Sequence, residues 1–408
     1  MIFSISFKNI WRNKIRSLVV IMAITIGLTG GILTVALMQG MVDQRLNIAI
    51  DSEVSHIQIH NSKYLLNPEL MENIGNADSI INAIKQIPEV KFVVKRTRIP
   101  VMINTARTST GVNIVGINPD EERSISTFYK NVADSAGSFF KETKPNQIVI
   151  GRKLAEKLKA KLKSKVVVTF QDTSGNLIGA AFKISGIFKS SNSIIDETTA
   201  FISNDDFTRL TGLSSKSAHE IAIRVENLEQ IPLVQERLKS MFPSLTVRNW
   251  KQIQPELSIM VEWMGFMNYI IIGIILLALG FGILNTMLMA VLERIKELGM
   301  LMAIGMSKRK IFSMIMLESI FLSVIGGIVG TILSLVFVHL LNHHGVDFGA
   351  YSQAFERLGY PSVIFPSIPN EFFIGLTIMV LFTGILSAVY PARKALKLNP
   401  VEALHSDT

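Results

Sequence analysis

The densest group of charged and hinge-forming residues in the chain lies at 293–310, ERIKELGMLMAIGMSKRK. Glu293, Arg294, Lys296 and Glu297 continue in helical spacing from the apolar residues before them. Leu298, Leu301, Met302 and Ile304 then form an apolar ridge. Gly305 followed by Ser307 offers a helix stop and a new N-cap ahead of Lys308, Arg309 and Lys310. Two readings fit this pattern: a short bent helix that a partner can grip, or a solvated turn between two hydrophobic segments. The chemistry on offer is ion pairing and mechanical contact rather than bond making.

Elsewhere the sequence is poor in catalytic constellations. It holds no GxxxxGK[ST] loop to cradle nucleotide phosphates, and no HExxH, GxSxG or EF-hand pattern. With no cysteine, disulfides, thiol catalysis and cysteine-ligated zinc are excluded within these residues. His56 and His60 fall on one face of a strand, too few ligands for zinc, and packing is expected of them. His343 and His344, near Asp347 and Glu356, are read as surface residues; no metal site and no cofactor are expected in the chain. Glu318 sits within an apolar register, where a carboxylate is either functional or paired near the membrane interface. Asn285 reads as a polar contact between helices. No residue qualifies as catalytic, and the chain is read as a non-enzyme.

The elements that must position these residues are mostly membrane spans. Residues 17–38 run 22 positions without a charge, about 33 Å of helix and enough for a bilayer core. Transmembrane helices are expected at 17–40, 266–292, 311–341 and 371–391, one before and three after a polar region at 41–265. Averaging the two parts yields 49% hydrophobic and 18% charged residues and a mean hydropathy of +0.38. The net charge of +9 is distributed by side. Lys8, Arg12, Lys14 and Arg16 precede the first span, five basic residues fill 293–310, and the tail carries Arg393, Lys394 and Lys397. Between spans three and four, only Arg357 is basic. The positive-inside rule places both termini and 293–310 in the cytoplasm and the large domain outside, with the 342–370 loop. This basic balance is topological; nucleic-acid binding is not expected. The first span is longer than a signal-peptide core and no small-x-small site follows, so an uncleaved anchor is expected. Residues 1–16 read as an amphipathic helix at the inner interface, with Trp11 at headgroup depth and Arg12 beside it.

The external region alternates strands and helices, an α+β domain of one or two subdomains. A helix is expected over 77–87 with Asp78 as a possible N-cap, strands over 90–104 and 111–117, and a basic amphipathic helix over 153–162. A hairpin follows at 165–189 with its tip at Asp172-Thr173-Ser174-Gly175-Asn176. Small-residue pairs recur in the spans: Gly27/Gly31, Ala278/Gly282, Gly326/Gly330 and Gly384/Ala388. They allow close helix approach, either among this chain's own spans or with a second subunit.

The 293–310 segment resembles the cytoplasmic coupling region of the FtsX/MacB-type ABC transporter permeases. LESIFLSVIGGIVGTILS (317–334), YPARKALKLNPVEALH (390–405), FKNIWRNKIRSLVVIMAITIG (7–27) and IVIGRKLAEKLKAK (148–161) extend that resemblance over the chain. Within the family, length and the absence of a fused nucleotide-binding domain resemble the lipoprotein-releasing LolC/LolE-like permeases. The resemblance implies four spans around a MacB-like periplasmic domain, in the bacterial inner membrane. It implies mechanotransmission from a cytoplasmic ABC ATPase dimer, which would bind the ATP and Mg, and a second permease subunit in a homodimer or heterodimer. On the same basis Glu293, Glu297, Gly299, Gly305 and Lys308 are expected to couple to the ATPase, with Trp11 and Arg12 in the interfacial helix. Met38, Met41, Met264 and Met267 are expected to line entry for lipid or an acylated lipoprotein cargo. A MacB-like efflux permease, an FtsX-like subunit activating an external hydrolase, and a non-transporting receptor or scaffold are the alternatives. Two departures stand out. Ser164-Lys165 replaces the family's Gly-Asp, and the 165–189 hairpin lacks the long insertion that would hold a periplasmic chaperone.

Overall fold

The computed structural model describes residues 2–12, 14–140 and 144–396, which divide into two units. The first unit comprises Met1–Asp43, Val261–Asp347 and Val363–Thr408. Among its described residues, four helices are long and apolar enough to cross a membrane. They belong to Lys14–Ile48, Pro255–Glu293, Lys308–His344 and Asn370–Leu396, here called spans one to four. These helices overrun the expected limits of 17–40, 266–292, 311–341 and 371–391. Hydropathy marks the lipid core, whereas a helix needs only satisfied backbone groups and continues through polar residues such as Asp43, Gln44 and Glu262. Pro391 is tolerated inside the fourth helix, and the expected tail at 392–408 lies outside the described residues from 397 onward.

Small residues decide how these helices pack. The Thr25 and Thr29 hydroxyls donate to the carbonyls of Gly326 and Gly330 at 3.3 Å each, setting spans one and three parallel in register. A Cβ on Gly326 would lie 2.9 Å from Ile24 Cβ, so only glycine admits this approach. Gly27 and Gly31 receive the side chains of Leu279 and Ile275 on span two. Ser319 donates to Gly384 O at 3.2 Å between spans three and four. Three of the four small-residue pairs thus serve the chain's own packing. Gly282 has nothing within 4 Å, and Ala278 and Asn285 are exposed beside it. Among the described residues Asn285 is therefore not a contact between helices of this chain, because it is exposed on the side of span two where Gly282 meets nothing.

The second unit comprises Gln44–Met260 and Phe348–Ser362. Its ten-stranded sheet contains β1 (Ile57–His60), β2 (Val90–Asn104), β3 (Ser109–Ile117), β4 (Val132–Gly137), β5 (Gln147–Gly151), β6 (Lys165–Gln171), β7 (Leu177–Phe188), β8 (Thr199–Ser203), β9 (Glu220–Val225) and β10 (Thr246–Asn249). The strand order is β10-β1-β9-β2-β3-β8-β5-β7-β4, with β6 pairing β2 and β7. The long β2 joins two halves: Val90–Arg96 pairs with β9, and Thr97–Asn104 pairs with β3. Ile99, Ile103, Ile148, Leu154, Phe182 and Phe207 fill the larger core, and Phe128, Phe139, Phe188 and Phe201 a second. Burial of such side chains at about 25 cal/mol per Å² drives folding here in the absence of disulfides.

Local expectations were corrected in several places. His56, expected on a strand with His60, precedes it: a π-helical turn, Ala49–Val54, runs up to this point and the strand begins only at Ile57. The helix expected over 77–87 covers Ala77–Ile84. Its N-cap is Asn76, and Asp78 instead pairs with Lys95 at 2.5 Å. The helix expected over 153–162 ends at Lys157, because Lys159 and Lys163 adopt left-handed backbone with φ of 51° and 68°. Leu154 and Leu158 are nonetheless buried as the apolar stripe requires.

Buried charge organises this unit. Arg96 donates to Glu122 at 2.6 and 2.9 Å and to Glu220 at 2.8 Å. Glu53, in the π-helical turn, accepts from Arg45 at 3.0 and 3.3 Å, from Asn192 at 2.9 Å and from Gln254 at 2.8 Å. One carboxylate so ties together three separate stretches of chain. The histidines are consumed by packing. His219 accepts from Arg98 N at 3.2 Å and meets Leu70 O at 3.0 Å; His60 meets His219 O at 2.8 Å; His56 accepts from Val225 N at 3.0 Å. Among the described residues no three His, Cys, Asp or Glu side chains are grouped to hold a metal ion.

Candidate coupling site

The joint after span two is built by a break in helical backbone at Arg294, with φ −107° and ψ 18°. Beyond it the helix Ile295–Ala303 runs to Gly305, whose φ of +98° is accessible to glycine at little cost. Ser307 is extended and precedes span three without a side-chain cap, so its expected capping hydroxyl is not used. Leu298 is buried with Ile311, Met314 and Ile315 of span three and Met287 and Val291 of span two. Leu298, with the partly buried Leu301 and Met302, therefore docks the short helix against its own spans, whereas Ile304, expected on the same ridge, is 78% exposed because it lies past the end of the helix.

The helix Ile2–Arg12 lies on span three. Phe3 and Phe7 meet Phe321 edge to face, with centroids 4.7 and 5.8 Å apart, and Ser6 donates to Met314 O at 3.2 Å. This position brings Arg12 to Glu297, where its guanidinium reaches both carboxylate oxygens. Arg294 Nε donates to Glu297 at 3.0 Å, and Arg294 Nη1 donates to Glu318 at 3.2 and 3.4 Å. The four side chains alternate in charge, Arg12–Glu297–Arg294–Glu318, and link three elements. The Arg12 hydrogen bond, aided by Arg294, holds the Glu297 carboxyl below the usual carboxylate range. The inner pair Arg294–Glu318 is mostly buried, the outer pair open.

The sequence-selected residues are only partly united here. Glu297 and Arg12 meet directly; Gly299 is buried beneath the short helix; Glu293, Gly305 and Lys308 are exposed around it. Trp11 is exposed next to Arg12. Met38 and Met41 are half-buried on span one, Met264 half-buried and Met267 exposed on span two. Arg294 was missed as a site residue. Its place three residues before Glu297 was the available signal, although Glu318 lies 24 residues away and gave no local hint. The arrangement supplies no nucleophile or acid–base pair; it can transmit displacement from one helix to two others.

Comparison with known proteins identifies the family. The model "MacB-like periplasmic core domain" matches residues 17–241, more than half the chain, and "FtsX-like permease C-terminal" matches 269–400. An uncharacterised ABC transporter permease of Bacillus subtilis, YknZ, is 23% identical over 98% of this chain and 97% of its own length. The macrolide export ATP-binding/permease protein MacB of Wolinella succinogenes is 25% identical over 98% of this chain, which spans 60% of that protein. The solved extracellular domain of YknZ from Gram-positive bacteria aligns over 48% of this chain and 98% of its own, with 18% identity and a TM-score of 0.33. The chain belongs to the ABC transporter permeases of the FtsX/MacB type, with four apolar helices and a MacB-like core domain between the first and second.

Proposed function

We propose that this permease hydrolyses nothing itself and relays motion from a separate cytoplasmic ABC ATPase, which binds the ATP and Mg, to its large domain outside the inner membrane. The observation carrying the proposal is the charge chain Arg12–Glu297–Arg294–Glu318. An ATPase pressing on Ile295–Ala303 would drag the first helix through Glu297 and span three through Arg294. Glu293, Gly299, Gly305 and Lys308 would form the surface and hinge it grips. Both termini lie in the cytoplasm on this reading, and two permease subunits surround the cargo path.

For cargo, the reading favoured here is MacB-like export of an amphiphile taken up outside the cytoplasm. The similarity, over 98% of this chain, to a protein named for macrolide export, and the short DTSGN hairpin, which leaves little for a chaperone to hold, both support it. Lipoprotein release is the second reading, compatible with the similarity to the uncharacterised ABC transporter permease YknZ along nearly its whole length. Met38, Met41, Met264 and Met267 would line the entry in either case, since methionine adapts to acyl chains.

The test is charge reversal at Glu297. In the complex reconstituted with its ATPase, Glu297→Lys should lower transport and permease-stimulated ATP hydrolysis several-fold while leaving the chain inserted. Unchanged stimulation would remove Glu297 from the coupling path.

A further inference from the structure

The second unit holds an open cavity of about 590 Å³, within the range of small-molecule sites. Its lining includes the apolar Val115, Phe128, Phe201, Leu257 and Met260. It also includes Arg45, Arg96 and Arg98. Two of these arginines are already matched: Arg45 by Glu53, and Arg96 by Glu122 and Glu220. Arg98 is matched more loosely: its Nη1 stands 3.9 Å from Glu220 Oε2, an ion pair without a hydrogen bond, and its side chain is 35% exposed. The Gln254 side chain, also in the wall, donates to Glu53 but leaves its buried Oε1 without a donor.

We propose that this cavity binds an amphiphile with an oxyanion head, such as an N-acyl amino acid or a lysophospholipid. The oxyanion accepts from both Nη atoms of Arg98, in the forked geometry that guanidinium offers to carboxylate or phosphate. The acyl chain lies along Phe128, Phe201 and Met260. Because Glu53, Arg45 and Gln254 line the same space, an occupied cavity bears directly on the carboxylate that ties this unit's chain segments together. The inference stands apart from the coupling reading, since it concerns binding by the permease alone.

The experiment is native mass spectrometry of the full chain in a neutral detergent, titrated with N-dodecanoylglycine, its methyl ester, and lauroyl lysophosphatidylglycerol. One adduct of an oxyanion ligand is expected, with the ester at least tenfold weaker. The tighter of the two anions identifies the source of the head group. Arg98→Gln should weaken the anion at least tenfold at an unchanged thermal midpoint. Asn113→Trp, which fills the cavity while keeping Arg98, should do the same and decides the matter if the first variant misfolds. Equal binding of acid and ester, or parental binding by Asn113→Trp, would overturn the proposal.

Discussion

Arg12 and Glu297 form an ion pair across 285 residues of sequence, closing the first helix onto the short helix after span two. The pair is open, with the two side chains 56% and 46% exposed. Exposed pairs of this kind contribute about 0–1 kcal/mol, so its geometry matters to position rather than to stability.

A charge swap follows from that distinction. Arg12→Glu and Glu297→Arg should each leave the thermal midpoint within about 1 °C, a shift corresponding to at most about 1 kcal/mol in a chain of this size. Each should reduce permease-stimulated ATPase activity in the reconstituted complex several-fold. Arg12→Glu/Glu297→Arg should recover most of it. Defects that simply add in the double variant would show that the two residues act separately.

The inner pair behaves oppositely. Arg294 and Glu318 are 16% and 13% exposed. Removing one partner of such a pair leaves a charge poorly solvated, at a cost of about 3 kcal/mol. Arg294→Ala should therefore lower the thermal midpoint in nanodiscs, and Arg294→Ala/Glu318→Gln should regain part of it. A double variant no more stable than Arg294→Ala would mean that Glu318 draws its compensation elsewhere.

These contrasts mark what was legible in the sequence. The four spans were plain from uninterrupted apolar runs, and the hinge at Gly305 from a glycine between two helical patterns. The Arg12–Glu297 pairing was not, because no local pattern reports which of several basic residues a distant helix will bring near. Asp78 looked like a cap yet serves Lys95 from a neighbouring strand, a tertiary choice that overrode local chemistry. The strand Val132–Gly137, reading VADSAG, carries no apolar alternation and exists only because β7 offers it an edge. The cavity was hidden for a similar reason: its walls come from residues between Arg45 and Leu358.

Gly40 offers a sharper test of span one. A Cβ there would collide with the Phe365 carbonyl, and Ser367 N donates to Ala36 O at 3.0 Å one turn away. Gly40→Ala must push the 365–367 segment off the helix. It should lower the thermal midpoint by several degrees, corresponding to about 1–3 kcal/mol of overpacking. Gly30 has nothing within 4 Å, and Gly30→Ala should be neutral or slightly stabilising. Equal effects at the two sites would show that the Phe365 approach is not maintained in the folded protein.

The second unit should lose stability in mild acid. Burial, with help from Arg224, lowers His56 to about 4, and burial lowers His219 to about 4. Both are depressed below the unfolded value of 6.5, so the unfolded chain binds more protons as pH falls from 6.5 towards 4, and stability falls with it. Asp196 opposes them: burial raises its carboxyl to about 6 from 3.8, so its contribution improves over an overlapping range as it protonates. At pH 5 the two histidines cost about 2 kcal/mol each and the aspartate returns about 1 kcal/mol, so acid destabilises on balance. Thermal unfolding between pH 7.5 and 5 should show a falling midpoint. His219→Asn should flatten the slope, and Asp196→Asn should steepen it. A midpoint that rises towards pH 5 would place the histidines in contact with water or with carboxylates in the folded chain.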